Sequence, residues 1–405
     1  MSRLTRAVSA RGATITLWLA GAALSGVSCR DENIADPTAL EPALEVTAAQ
    51  ALLFRQLSAG FGRTCGVTTD NLAYCWGSNI QGELGDGTTS RRLTPVPVAG
   101  GLRFRHLSSG PNHTCGVTTD DHAYCWGDNG FGQLGDGTSI NSLTPVAVAG
   151  GLLFRQIRAG GLHTCGVTTD YRAYCWGENS GGRLGIGAGT PDEQRTPGAV
   201  TGGLLFRQVT AGGEYNCGVT TTDRAYCWGY NSYGQLGDKT TSTRSTPVAV
   251  TGGVRFRAVS ASQYHTCGVT LENRAYCWGY NPDGEIGDGT TATRLSPVAV
   301  AGGRRFVQLS TGLGHTCAVN PFNRTFCWGD NRYGQLGDGT TTRRLTPIRV
   351  SGGLPFSQVG AGWYHTCGVT TDNRAYCWGR NNFSGALGDG TLKNRLRPVA
   401  VAGPM

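Results

Sequence analysis

The chain has 405 residues, among them 64 glycines and 15 cysteines, and a formal charge of +8. A length of this order ordinarily divides into two or three domains, but from residue 51 onward no linker or shift in composition interrupts it, which argues for one large domain. Without Arg3, Arg6 and Arg11 of the N-terminal segment the charge falls from +8 to +5, too mild an excess to call for a nucleic-acid partner.

Those arginines lead into an apolar run, ATITLWLAGAALSGV, at residues 13–27. It is too short for a comfortable membrane span, and with basic residues ahead of it residues 1–28 read as an export signal. Fourteen cysteines fall in pairs further along, which leaves Cys29 over. An odd cysteine in an exported chain asks for an explanation. The stretch Gly26-Val27-Ser28-Cys29 resembles the bacterial lipoprotein processing box, although Gly26 stands where that box usually carries leucine. The resemblance implies a lipid on Cys29 as the new first residue, with ordinary signal cleavage as the alternative. Residues 29–50, polar and proline-containing at their start, then read as a tether. The expected location is the envelope, as a lipoprotein of the outer or cytoplasmic membrane, or else the periplasm or the exterior.

From residue 51 to residue 405 the chain repeats itself. Cys65, Cys115, Cys165, Cys217, Cys267, Cys317 and Cys367 follow one another at intervals of 50, with a single interval of 52 after Cys165. Repetition at this period marks a solenoid, a propeller or an array. In the third copy, FRQIRAG reads as a strand ending in small residues, HTCGVTT as a second and RAYCWG as a third. A glycine-rich stretch follows, and TPGAVTGG makes a fourth strand. Short strands punctuated by turn residues are an all-β signal, and no sustained 3.6-residue apolar period calls for helices. Seven four-stranded units suit a seven-bladed β-propeller, whose radial repetition protects its strand edges. The small residues closing each first strand, such as Ala59-Gly60, Ser109-Gly110 and Ala361-Gly362, fit where strands crowd at the axis.

Each copy holds two cysteines ten positions apart: Cys65/Cys75, Cys115/Cys125, Cys165/Cys175, Cys217/Cys227, Cys267/Cys277, Cys317/Cys327 and Cys367/Cys377. A hairpin that pairs Val167 with Ala173 sets Cys165 opposite Cys175, within reach of a disulfide. Reduced core thiols and zinc are the alternatives. Zinc fits poorly, because its sites use closer ligand pairs and the neighbouring histidine is replaced by Arg63 and Tyr215 in two copies. Strand alternation sends Trp176 to the face away from Cys175, so each tryptophan is expected beside the disulfide of an adjacent blade. The recurrent GQLGDGT is read as a compact turn. Its aspartates, Asp86, Asp136, Asp238, Asp288, Asp338 and Asp389, are too sparse for calcium, and Ile186 replaces one. Neither metal nor cofactor is called for. Basic residues before the fourth strand, Arg91, Arg92, Arg195, Arg244, Arg294, Arg343, Arg344, Lys393 and Arg395, read as a solvated face rather than a polyanion belt. Both chain ends carry strand-like sequence, so either is a candidate for the strand that closes the ring.

YCWGDNGFGQLGDGT followed by TPVAV, with SSGPNHTCGVTTD before it, resembles the repeat of the regulator of chromosome condensation family. The resemblance extends over all seven copies and implies a seven-bladed propeller; a kelch repeat fits these strings less well. It also implies a protein-binding platform, since secreted bacterial members include protein-binding inhibitors. The family's nucleotide-exchange activity on a nuclear GTPase is not carried over, because the matched residues are scaffold and an exported chain would not meet that GTPase. Three functions compete: a non-enzymatic, monomeric platform for a protein partner at the envelope, a binder of envelope glycan or cell wall, and a polysaccharide lyase or hydrolase. The first is favoured, because no Ser/His/Asp set, carboxylate pair or phosphate loop stands out from the repeats. The loops before the first cysteine and after Trp-Gly vary most and should emerge at one end. They supply the candidate partner-binding residues Trp363, Tyr364, Tyr264, Tyr215, Phe61, Arg63, Phe131, Tyr233, Tyr280 and Tyr333, of the types enriched in binding hot spots.

Overall fold

The computed structural model describes residues 52–403; the export signal, Cys29 and the whole tether lie outside them. Within this span the chain forms seven four-stranded antiparallel sheets, each from four consecutive strands. In blade 1 they are β1 (Phe54–Ala59), β2 (Arg63–Thr68), β3 (Ala73–Gly77) and β4 (Arg92–Pro97). The later blades repeat this order, and blade 7 runs from Phe356 to Ala400. The seven-bladed propeller is thus the observed fold, and its only helical turn among the described residues is a short one at Ser180–Gly182, in the copy with the longer spacing.

Neither chain end lends a strand to the other among the described residues. Blade 7 is completed by its own last strand, in which Ala400 pairs with Tyr376. The expected closing strand is replaced by side-chain closure between neighbouring blades. Gln358 donates its amide to Leu57 O and accepts from Leu57 N, both at 3.1 Å. The same clamp joins other inner strands, as at Gln56 with Leu107 and Gln208 with Val259. An amide offers both a donor and an acceptor, so one glutamine satisfies both exposed groups of the neighbouring edge. That matters because an unpaired strand edge invites association.

The hairpin register is the expected one. Cys165 lies opposite Cys175 and Val167 opposite Ala173. The same register sets Cys115 opposite Cys125, Cys217 opposite Cys227 and Cys267 opposite Cys277. It likewise sets Cys65 opposite Cys75, Cys317 opposite Cys327 and Cys367 opposite Cys377. All seven pairs are disulfides, with Cα atoms 4.0–4.1 Å apart. Reduced thiols and zinc are thereby set aside. The fourteen cysteines are fully buried, so Cys75, Cys125, Cys175, Cys227, Cys277, Cys327 and Cys377 and their partners belong to the scaffold and present nothing at the surface.

The tryptophans also pack as expected. Trp126 of blade 2 is fully buried and shares a core cluster with Cys65 and Cys75 of blade 1. Its indole nitrogen donates to Glu83 O at 2.9 Å. Gly85 has φ +70, and a Cβ there would stand 2.7 Å from the Trp126 nitrogen. The turn therefore uses glycine both for its left-handed backbone and to admit the neighbour's indole. Crowding at the axis is equally tight: a Cβ on Gly60 would lie 2.7 Å from Gly110 O.

Candidate functional site

Two sets of loops share one end of the ring. Ser78 N, just past β3, bonds Gly62 O in the β1–β2 loop at 2.9 Å, and Tyr280 to Tyr264 and Arg380 to Tyr364 repeat that bond. The β2–β3 hairpin tips belong to the opposite end. Each carries one residue with positive φ, asparagine or aspartate in six blades and Tyr171 in the other.

Eight of the ten residues singled out in the sequence lie at the loop-bearing end, and two do not belong to its surface. Arg63 and Tyr215 are buried and bridge blades. Arg63 pairs with Glu83 at 3.1 Å and donates to Gly110 O of blade 2 at 3.0 Å; burial lowers its pKa, against the pull of Glu83. The Tyr215 hydroxyl bonds His265 O at 2.7 Å and Thr266 Oγ1 at 2.8 Å, and burial pushes its pKa up. Both hold the repeat's histidine position. The histidines there do the same work: His113 Nε2 meets Thr164 Oγ1 at 2.7 Å, and His365 Nε2 meets Thr64 Oγ1 at 2.9 Å across the ring's closure. Burial depresses these imidazoles, to about 3 for His113, His163, His265 and His365 and about 4 for His315.

The remaining eight gather in two groups, with Phe131 apart. Tyr233, Tyr264 and Tyr280 form a half-buried triad, the Tyr233 and Tyr280 rings 4.6 Å apart. Phe61, Trp363, Tyr364 and Tyr333 form a chain of rings across blades 1, 7 and 6, with Phe61 and Trp363 at 4.4 Å. Arg380 joins this second group, over Tyr333, Tyr364 and Phe383 at 5.0, 5.2 and 5.5 Å. Among the described residues no carboxylate pairs with it; its Nε donates to Asn382 Oδ1 at 3.2 Å.

Beside Arg380 lies a cleft of about 210 Å³ lined by Phe61, Ile80, Tyr364 and Phe383. Its origin is an extra residue in the blade 7 loop. Leu387 N reaches Asn381 Oδ1 six positions back, where Leu336 reaches Asn331 five back. The insertion turns Phe383 outward, 73% exposed and with φ +77. A bulky residue in that left-handed region is strained, and such strain gathers at functional sites. Ile80 across the cleft is 76% exposed.

The basic residues expected before the fourth strand are not a uniformly solvated face, and five of them open that strand. Arg92, Arg244, Arg294, Arg344 and Arg395 pair with Asp86, Asp238, Asp288, Asp338 and Asp389 at 2.7–2.9 Å. The same aspartates accept the backbone N–H two residues on, as Asp86 does from Thr88 at 3.0 Å. Burial pushes Asp86 up, but bonds from Thr88 and Arg92 outweigh it and hold the carboxyl below its ordinary value. The turn reading of these aspartates therefore holds, with an arginine partner added.

The geometry has known counterparts. A family model described as RCC1-like domain matches residues 5–318 and 156–405. Among solved structures, human WBSCR16 superposes with a TM-score of 0.71 at 23% identity, covering 79% of this chain and 89% of that one. Prp20p from Saccharomyces cerevisiae gives 0.71 at 21%, covering 83% and 87%. The CRINKLY WD40 ectodomain of the Arabidopsis thaliana receptor kinase ACR4 gives 0.53 at 20%, covering 87% and 100%. Among curated protein sequences none matches this chain. The structural likenesses are likenesses of fold; the family match, which spans most of the sequence, shows that this chain belongs to the RCC1-like domain family.

Proposed function

We propose that this protein is a non-enzymatic platform that docks a protein partner on the loop-bearing end of its propeller. The observation that carries this reading is the Phe61–Trp363–Tyr364–Tyr333–Arg380 cluster beside the blade 7 cleft. Blade-to-blade contact is already made by the buried tryptophans and the histidine–threonine bonds below, and each blade is braced internally by its disulfide. Tyrosine, tryptophan and arginine in a partly desolvated cleft are typical anchors. The structure of Prp20p is described with that protein's binding to Gsp1p and histones, and another structure has Kap60 bound to yeast RCC1 (Prp20). Those partners belong to those proteins; they support the reading that propellers of this fold serve as platforms. The Trp363→Ala/Tyr364→Ala variant should weaken partner binding by roughly 2 kcal/mol or more with its unfolding midpoint unchanged. Unaltered binding would move the site elsewhere. The tyrosine triad supports a second reading, an envelope glycan. A glycan-array signal abolished by Tyr264→Ala would favour that one.

The proposal includes a setting: export, with the chain held at the envelope by a lipid on Cys29 and acting as a monomer. Seven disulfides support an oxidising compartment. Labelling with a radioactive fatty acid, lost in Cys29→Ala, tests the anchor; label retained without Cys29 would refute it.

A further inference from the structure

The inner strands enclose a channel of about 460 Å³ along the axis, whose lining includes no aspartate or glutamate. Its wall is built of groups with protons to give. Ser58 Oγ accepts a hydrogen bond from Ser109 N at 2.9 Å, and Ser108 Oγ one from Ala159 N at 3.1 Å. Thr210 Oγ1 accepts from Ala261 N at 3.1 Å and Ser310 Oγ from Ala361 N at 3.0 Å. Each hydroxyl thus serves the neighbouring strand as acceptor. Among the described residues none of the four has an acceptor for its own proton, so all four protons remain available to the channel.

Blade 3 departs from this ring. Where the other blades place serine, threonine or, in blade 7, Gly360, it places Arg158. The guanidinium lies in the channel against the His106 ring, itself a replacement for the glutamine of the clamp. Burial and the nearby Arg158 charge hold that imidazole well below its ordinary pKa, so it is neutral and offers no negative charge. Among the described residues no carboxylate pairs with Arg158, and burial pushes its pKa down to about 10. A cation partly withdrawn from water and lacking an anion costs free energy unless paired. Opposing positions leave space: the nearest atom to a Cβ on Gly360 would be 3.5 Å away, and Ala258 stands where the clamp has glutamine elsewhere.

We propose that the axial channel is a binding site for a small oxyanion, a carboxylate or a phosphate, held by the Arg158 guanidinium and the hydroxyls of Ser58, Ser108, Thr210 and Ser310. Guanidinium forks match both anions bidentately, and hydroxyl donors in a confined channel complete the shell. Trp363 of the docking cluster also lines the channel, but none of the five groups proposed to hold the anion belongs to that cluster. Isothermal titration of the full-length protein with inorganic phosphate and, separately, with malonate tests it, at constant ionic strength in chloride. Saturable binding of either probe is expected, and the probe that binds identifies the anion class. Arg158→Gln should weaken it at least tenfold, and Arg158→Lys less. Gly360→Asp, which supplies a carboxylate inside the channel, should abolish it and needs no loss of the arginine. Absence of saturable binding for both probes, or binding unchanged in Arg158→Gln and Gly360→Asp, would overturn the proposal.

Discussion

At the scale of residues, Arg63 and Glu83 show how one departure in a repeat calls for another. Blades 2 and 6 place histidine and glutamine at these positions, His113 with Gln133 and His315 with Gln335; blade 1 replaces the couple with a buried ion pair at 3.1 Å. Removing one member of such a pair strands the other charge, at a cost of about 3–5 kcal/mol. Arg63→Ala should therefore lower stability by about that much, whereas Arg63→His/Glu83→Gln, which installs the couple of blades 2 and 6, should fold with near-native stability. Chemical denaturation measures both; a double variant as damaged as the single one would show that the pair is not interchangeable with its counterparts. The same residues show where sequence reading stopped. Arg63 and Tyr215 adjoin variable loops and resemble their aromatic and basic neighbours, yet they are the first residues of second strands. A shift of one position carries a side chain from loop surface to blade interface, and composition does not mark that boundary. The arginines that open the fourth strands were similarly opaque, because their aspartate partners lie six residues earlier in a turn that only the fold brings back.

At the scale of elements, the hairpin was legible in detail, since cysteines ten apart and alternation along the third strand leave one register that joins them and turns the tryptophan away. Each disulfide closes a short loop, for which chain entropy gives on the order of 2–3 kcal/mol. Cys165→Ala/Cys175→Ala should lower stability by no more than that and leave the other six bridges in place. Peptide mapping under non-reducing conditions should find only cysteines ten apart joined; a bridge between copies, such as Cys125 with Cys227, would contradict the hairpin. The glutamine clamp of the inner strand was not legible. In FRQ the amide reads as an ordinary polar position, and its partner belongs to the next blade, about fifty residues away. For the same reason the ring's closure was not legible, since both ends carry strand-like sequence and only the pairing of Tyr376 with Ala400 shows the last strand completing its own blade.

For the whole molecule, the histidines that hold blade to blade make the ring acid-sensitive. His113, His163, His265, His315 and His365 are depressed to about 3–4 by burial, against an ordinary value near 6.5. Between these limits the unfolded chain binds protons that the folded ring refuses. Stability is thus fully present above pH ~6.5 and falls with acidification, by about 1.4 kcal/mol per pH unit for each histidine. Glu285, raised to about 8 by burial, acts in the opposite sense but is one group against five. The denaturation midpoint should drop steeply from pH 7 to pH 5, and His113→Gln should shallow the slope; equal midpoints at both pH values would contradict the buried neutral histidines. The functional claim concerns which end of this ring meets its partner. Site-specific photo-crosslinking in living cells tests it most directly, with a photoreactive phenylalanine at Phe383 on the loop-bearing end or at Tyr171 on the hairpin end. The account predicts a discrete protein adduct from position 383, lost on Trp363→Ala/Tyr364→Ala, and none from position 171. Adducts from position 171 alone would contradict it.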